Sequence, residues 1–311
     1  MVPGGAVAYV CNFASDALPG TSITPVDLAH RSAGPRLSIG SLPSALAPTP
    51  DGRRLLVTAQ GADQVVVVDT SSDSVAARLS TGLEPDAVAV TPDGATALVA
   101  DFGDGTVTPV DLSTLRTRRP APVGGQPDAV AVTPDGRTAV VADLAGASVS
   151  LLDLSTMQVR TRVAVGSEPD AVAVTPDGAT ALVANFGDGT VTPVDLSTGR
   201  AGPAVAVGSG PRAVVVSRSP GGPAAWSGWV AVGGSLVPLH PSTPGHAPTA
   251  GTTVAVGHIA EDVALAEHGT VAWVAGLDGA ITPVDLATGV PGRSTHVAGR
   301  PSAIAVVTRP R

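Results

Sequence analysis

The sequence predicts an all-β fold in which seven four-stranded sheets form one closed ring, and three observations support this prediction. The thirty residues from Pro85 to Thr114 recur from Pro169 to Thr198 with one change, Asp101 to Asn185. Each unit contains four short runs rich in Val, Ala, Leu and Thr, separated by turn residues. Successive units open 42 residues apart, at Pro43, Pro85, Pro127, Pro169 and Pro211. A repeat of this length with four strands is typical of one blade of a β-propeller.

The residues of each run explain why it is predicted to form a strand or a turn. PDAVAV predicts a first strand, and TPDG predicts a turn, because Pro presets φ, Asp bonds nearby backbone and Gly accepts a positive φ. ATALVA predicts a second strand, and GDG or AG turns the chain into a third strand, TVTPVDL. STGR or STMQ then leads to a fourth, such as VRTRVAVG. Apolar runs without clean alternation indicate sheets covered on both faces, as in stacked blades.

The spacing of the units predicts seven blades in one domain. After Pro211 the next unit opens at Ala260, 49 residues on, and the last opens at Pro301, 41 residues later. The C-terminal piece supplies only a first strand and the N-terminal piece lacks one, so pairing of the termini completes a blade and closes the ring. We number the blades 1 to 7, and they span 301–311 with 1–42, 43–84, 85–126, 127–168, 169–210, 211–259 and 260–300.

The second strands carry a resemblance to a known family. They include Tyr9-Val10-Cys11-Asn12, Leu98-Val99-Ala100-Asp101 and Leu182-Val183-Ala184-Asn185. With PDG before this run and VD after it, the repeat resembles the YVTN-type (YncE-like) propeller repeat over nearly the whole chain. The pattern departs most in blade 6, where Pro220-Gly221-Gly222 replaces the PDG turn. The resemblance implies the fold but little about function, because such propellers include secreted surface proteins, binding modules and enzymes.

Composition excludes several classes of partner. The net charge is −8, and all 18 basic residues are Arg in no long run, which argues against nucleic acid. No apolar stretch is long enough to span a membrane, and the N-terminus lacks a charged leader. We therefore expect a monomeric cytoplasmic protein, or a secreted one if a leader has been removed. The richness in Ala, Gly, Val, Pro and Arg suggests a GC-rich, actinomycete-like genome.

The sequence predicts neither a bound metal nor an organic cofactor. Cys11 is the single cysteine, and the six histidines have no ligand spacing. No nucleotide-binding or hydrolase motif is present. Two sets of recurring aspartates are interpreted as structural, since Asp in such turns bonds local backbone. Six end the third strands, Asp27, Asp69, Asp111, Asp153, Asp195 and Asp285, and four lie in PDG turns, Asp51, Asp93, Asp135 and Asp177.

Reactive residues are expected where the repeat is broken, at the entrance of the first strands. One arc of that ring repeats Asp86, Asp128 and Asp170, whereas the other arc departs from the repeat. We take Asp86 and Asp128 as substrate-binding residues, and the candidate catalytic residues are Arg212, His258, Glu261, Arg300 and Asp170. Arg212 can bind an oxyanion, His258 can transfer a proton, and Glu261 or Asp170 can act as a base or hold the arginines in place.

Aromatic side chains complete the expected site. Phe13, Phe102 and Phe186 follow the second strands at one equivalent position and are candidates for an apolar collar, with interblade packing as the alternative. The long segment Ala14 to Ser22 is a candidate lid.

Three functions fit these observations. The first is a small-molecule enzyme without a redox cofactor, a ring-forming cyclase or lyase of antibiotic or polyketide-type metabolism. The resemblance implies such enzymes among related propellers. Its substrate is expected to be bulky and to carry an acidic or enolisable group. The second is a non-catalytic scaffold that binds a protein or ligand, and the third is a secreted YVTN-type surface protein.

Overall fold

The chain forms a seven-bladed β-propeller. The computed structural model describes residues 5–14, 19–219, 225–241, 247–266 and 269–309. Each blade is an antiparallel sheet whose strands follow in order from the first strand to the fourth. The first strands of neighbouring blades contact one another and surround a central channel. In the described residues, no helix is long and apolar enough to cross a membrane.

The strands match the four predicted runs of each unit. The first strands are Pro43–Pro48, Pro85–Val90, Pro127–Val132, Pro169–Val174, Pro211–Arg218, Ala260–Ala266 and Arg300–Thr308. The second strands are Arg54–Ala59, Thr96–Asp101, Thr138–Asp143, Thr180–Asn185, Trp226–Val232, Val271–Gly276 and Ala6–Ala14. The third strands are Gln64–Asp69, Thr106–Asp111, Ser148–Asp153, Thr190–Asp195, Ser235–His240, Ala280–Asp285 and Pro19–Asp27. A short 3-10 turn spans Gln60–Ala62.

The fourth strand is continuous in blades 2 and 4 and split in the others, which the repeat did not predict. Ser74–Ser80 and Gln158–Ala164 are the continuous strands. The split strands of the described chain are Ser32–Ala33 with Leu37–Ser38, Arg116–Thr117 with Ala121–Pro122, Arg200–Ala201 with Val205–Ala206, Thr249–Ala250 with Val254–Ala255, and Val290–Pro291 with Thr295–His296.

A proline in the third strand accounts for this difference. Blades 2 and 4 have Val67 and Leu151 where each split blade has a proline, such as Pro109 in blade 3. The carbonyl of Pro109 accepts a 2.7 Å hydrogen bond from the backbone N–H of Arg118 in the outer segment. In an extended residue the backbone N–H and the carbonyl point to the same side of the strand. Proline has no N–H, so Pro109 cannot donate the second hydrogen bond to the fourth strand. The ladder to the fourth strand is therefore interrupted at this point.

The core lies between the blades. Within the described ranges, seven clusters of buried apolar side chains occur, one at each interface between neighbouring blades. Leu56 of blade 2 packs with Val99 of blade 3, and Val140 of blade 4 packs with Val183 of blade 5. Because both faces of a sheet are covered in this way, the strands carry nearly continuous apolar runs.

The two termini close the ring in blade 1, as the sequence predicted. Ala6–Ala14 pairs antiparallel with Arg300–Thr308, and Tyr9 lies opposite Ala305. Arg309 donates to both carboxylate oxygens of Asp73 in blade 2, at 2.6 and 2.7 Å, and to the hydroxyl of Tyr9 at 2.8 Å. The Tyr9 hydroxyl in turn donates to Asp73 at 2.5 Å. This network ties both terminal strands to the next blade.

The recurring aspartates stabilise turns. Asp93 accepts hydrogen bonds from the Thr91 hydroxyl at 2.6 Å and from the backbone N–H of Ala95 at 2.9 Å. These bonds hold the pKa of Asp93 below its usual range. Gly94 completes the turn with a φ of 69°, in the region that favours glycine. The same arrangement returns in the other PDG turns, which supports the structural interpretation.

Candidate functional site: the channel entrance

The channel entrance brings together one residue from each blade. Near the start of each first strand stands a proline, or Ala260 in blade 7. The residue that follows it lines a cavity of about 550 Å³ on the axis. These seven residues are Ser44, Asp86, Asp128, Asp170, Arg212, Glu261 and Ser302. The sequence identified this ring by counting from the repeat.

Two serines tie the ring from blade to blade. The Ser44 hydroxyl donates to the backbone carbonyl of Asp86 at 3.0 Å, and the Ser302 hydroxyl donates to the carbonyl of Pro43 at 3.1 Å. Because each serine bonds the strand of the next blade, these hydroxyls hold neighbouring first strands together on this side of the ring.

Three neighbouring carboxyl groups form a row, which we call the carboxyl row: Asp86, Asp128 and Asp170. Asp128 lies in the middle and shares hydrogen bonds with both neighbours. Burial raises the pKa of all three, and the charges of Asp86 and Asp170 raise that of Asp128 further. Arg212 opposes the rise at Asp170. Adjacent carboxylates that share hydrogen bonds cannot all be ionised, so the row retains a proton near neutral pH.

Arg212 stands at the end of the carboxyl row between two blades. Its Nε lies 3.3 Å from Oε1 of Glu261 in blade 7. Its guanidinium carbon lies 4.8 Å from the ring centre of Phe186 in blade 5. The Arg212 side chain is 40% exposed and that of Glu261 is 13% exposed, so the cation remains accessible from the channel. An exposed guanidinium held from two sides is suited to binding an anion.

Asp262 also lines the channel, and the sequence analysis missed it. Its carboxylate accepts hydrogen bonds from the backbone N–H of Val263 at 2.7 Å and from that of Ile304 in blade 1 at 2.8 Å. Burial raises the pKa of Asp262 to about 7 despite these bonds. The signal was present in the repeat, because the other six units have alanine at this position, as at Ala129 and Ala171.

Of the phenylalanines and Arg300, only Phe13 lines the channel. Phe13 lines it and is 36% exposed, whereas Phe186 packs beneath Arg212. Phe102 lines a separate cavity of about 570 Å³ beside Leu83. Arg300 is exposed and acts on the site only through its charge. Burial raises the pKa of Glu261, and the charge of Arg300 partly opposes this rise. The three phenylalanines therefore do not form one collar.

His258 is not among the residues that line the channel, although its position in the repeat predicted that it would lie near the axis. Its ring packs against Gly276, whose added Cβ would lie only 2.1 Å from Nδ1. Nε2 is 2.8 Å from the hydroxyl of Thr282, and the buried Nδ1 has no hydrogen-bond partner among the described residues. Gly276 occupies the position of Asp101 and Asn185. Those two side chains form hydrogen bonds with Thr108 and Thr192, which correspond to Thr282. The imidazole thus replaces a missing side chain in blade 7.

The candidate lid falls partly in strands. Ala14 ends the second strand of blade 1 and Pro19 begins the third, while residues 15–18 lie outside the described part of the chain. Among the described residues, no group of three His, Cys, Asp or Glu side chains has an arrangement that could hold a metal ion.

Comparisons with known proteins agree with this architecture. The profile of the YncE-like beta-propeller family matches residues 13–174, slightly more than half of the chain. No curated protein matches the sequence. A functionally unknown protein from Desulfotomaculum acetoxidans superimposes with a TM-score of 0.84 at 15% identity, covering 98% of this chain and 99% of that chain.

Two solved enzymes share the fold as well. Hydrazine synthase of Kuenenia stuttgartiensis gives a TM-score of 0.73 at 18% identity and covers 85% of this chain and 89% of its own. The dihydro-heme d1 dehydrogenase NirN gives 0.67 at 16% identity, with 96% of this chain and 74% of that chain covered. At these identities the likeness concerns the fold.

Proposed function

The chain belongs to the YncE-like beta-propeller family, and we propose that its channel entrance binds a small organic acid or enol and catalyses a proton-transfer reaction on it. The carboxyl row beside the Arg212–Glu261 pair carries this proposal. Protonated and ionisable carboxyl groups lie next to an accessible cation in one open cavity. Groups whose pKa values are pushed apart are suited to acid and base roles.

The reaction class we propose is cyclisation or elimination without a redox step. Asp170 removes a proton from the carbon next to a carbonyl, and Arg212 stabilises the enolate oxygen that forms. The carbon–heteroatom bond on the neighbouring carbon then breaks, and the proton held by Asp128 goes to the departing heteroatom. In the reverse sense, a heteroatom adds to the double bond and closes a ring. A lyase or cyclase of polyketide-type metabolism is the corresponding enzyme.

The supporting residues have separate tasks in this scheme. Glu261 holds Arg212 in place, and Phe13 provides an apolar wall for a bulky substrate. His258 has no part in the reaction, because its ring is engaged with Thr282 in blade 7. The alternative is a non-catalytic binding propeller, in which the same charged groups only stabilise the ring. A secreted surface protein is a further alternative.

Binding of tetronic acid, a small cyclic enol acid, tests the proposal. We expect saturable binding by calorimetry that weakens about tenfold or more in Arg212→Gln. Arg218→Gln is the matched control, because Arg218 lies at the other end of the same strand and donates to the Pro176 carbonyl at 3.1 Å. Burial raises the pKa of Asp170 to about 6, so affinity should fall from pH 5 to pH 8 as Asp170 ionises, and Asp170→Asn should flatten this fall.

Equal affinity in the wild type and Arg212→Gln, or no binding by either, would contradict the proposed site and favour the non-catalytic alternative. Thermal unfolding of each variant shows whether the fold is retained.

A further inference from the structure

A groove of about 710 Å³ lies between blades 3 and 4, on the side of the PDG turns and away from the channel entrance. Leu98 and Pro109 form its wall on blade 3, and Leu154, Met157 and Val159 form its wall on blade 4. Arg118 and Arg119 belong to its rim. The groove therefore combines an apolar floor with two cations.

The split fourth strand of blade 3 opens this groove. After Arg116–Thr117 the chain leaves the sheet and returns at Ala121–Pro122, so residues 118–120 form a flank instead of a continuous outer strand. Pro120 and Pro122 have no N–H, which makes this flank a poor edge for pairing with another strand.

The equivalent interface between blades 5 and 6 is packed differently. Blade 5 presents Leu182 where blade 3 presents Leu98, but blade 6 supplies Trp226, which is 8% exposed and packs in the same cluster. Blade 4 supplies Met157 to the groove and no indole. Leu98 is itself buried at the base of the groove, and the apolar side chains that remain partly exposed there belong to blade 4: Leu154, Met157 and Val159.

Positive charge is concentrated along the outer edge of these two blades. The outer segments of blades 3 and 4 contact each other and carry five of the 18 arginines in a chain of net charge −8. All five are exposed, and they are Arg116, Arg118, Arg119, Arg160 and Arg162.

The rim of the groove retains an available cation. Arg118 pairs with Asp111, whereas Arg119 has no hydrogen bond or ion pair with any residue in the described ranges. The carboxylate of Asp93 also lines the groove, where its Oδ1 accepts hydrogen bonds from the Thr91 hydroxyl and the Ala95 N–H.

We propose that this groove is a docking site for an acidic peptide segment of a partner protein, with an apolar side chain inserted between blades 3 and 4. Charge complementarity selects an acidic occupant, and the apolar floor selects a side chain such as leucine. The basic edge extends beyond the groove over two blades, which fits a chain segment better than a small molecule. The site is independent of the channel and of the function proposed for it.

The test uses a fluorescein-labelled peptide of alternating Glu and Leu, with fluorescence anisotropy as the readout. We expect binding to weaken about tenfold in Arg118→Gly combined with Arg119→Gln. Glycine fits this position, since Gly202 of blade 5 makes the same 2.7 Å bond to the Pro193 carbonyl. Arg200→Gln on blade 5 is the control and should bind as the wild type does.

Leu98→Trp tests the apolar floor separately. Tryptophan stands at the equivalent positions Trp229 and Trp273, so the fold accommodates it there. We expect this substitution to weaken the Leu-containing peptide about tenfold and to leave a Glu–Ser peptide unchanged.

No saturable binding of the Glu–Leu peptide would overturn the proposal. So would an undiminished affinity in the double arginine variant, or equal affinity for an RNA oligonucleotide of the same charge. If Leu98→Trp is unfolded by circular dichroism, the exposed arginine variant decides.

Discussion

Blades 3 and 5 contain almost the same thirty residues, yet their surroundings give these residues different properties. Asp86 of blade 3 lies between Ser44 and Asp128, whereas its counterpart Asp170 lies between Asp128 and Arg212. Phe102 lines a side cavity, whereas Phe186 packs beneath the guanidinium of Arg212. The comparison shows that a repeated sequence fixes the shape of a blade, and that the neighbouring blade decides the chemistry at its edge.

The one difference within these thirty residues concerns a buried polar position. Asp101 accepts hydrogen bonds from the hydroxyls of Thr106 and Thr108, at 2.9 and 2.6 Å. Asn185 donates to the equivalent hydroxyls of Thr190 and Thr192, at 2.9 and 2.8 Å. A hydroxyl both donates and accepts, so either side chain completes the same network.

The largest expected effect is a loss of stability at the interface between blades 5 and 6. Trp226→Ala should lower the free energy of unfolding by about 3–5 kcal/mol, because it leaves a cavity in the cluster that contains Leu182. Met157→Ala at the groove beside blade 3 should lower it by only about 1 kcal/mol, since Met157 is half-buried. Chemical denaturation measures both. Equal losses would mean that the two interfaces are packed alike.

Exchanging the single differing residue should give a smaller, pH-dependent effect. Burial raises the pKa of Asp101 above its usual range, so the folded protein binds this proton more tightly than the unfolded chain. Stability therefore decreases as pH rises from about 4, and Asp101→Asn should raise it by about 1–2 kcal/mol at pH 8.

Asn185→Asp provides the opposite exchange in the same sequence context. It should lower stability by a similar amount at pH 8 and leave it unchanged near pH 4, as measured by denaturation at several pH values. A difference that persists at pH 4 would show that the effect comes from hydrogen bonding and not from ionisation.

The smallest expected effect concerns the phenylalanine pair. Phe186→Leu should weaken tetronic acid binding about threefold, because Arg212 loses the ring that supports its guanidinium. Phe102→Leu removes the same side chain from the same sequence context and should leave the affinity unchanged. Both variants are half-buried substitutions, so comparable melting temperatures are expected. Equal loss of binding in both would contradict the positioning role of Phe186.

The sequence by itself determined the blades. The spacing from Pro43 to Pro211 defined the repeat, and the split unit at the termini predicted the pairing of Ala6–Ala14 with Arg300–Thr308. These features follow from turn chemistry and strand patterning, which act over a few residues and return in every unit. The position of Arg212 at the channel followed from the same counting.

Only the tertiary structure decided which residues meet between blades. Arg212 contacts Phe186 from one neighbour and Glu261 from the other, and no local pattern contains that information. His258, at the end of blade 6, fills the space left by Gly276 of blade 7, so a missing side chain on one strand is replaced from the preceding blade's segment. The pKa values of the carboxyl row depend on burial and on charges supplied by separate blades, and these act through space and not along the chain.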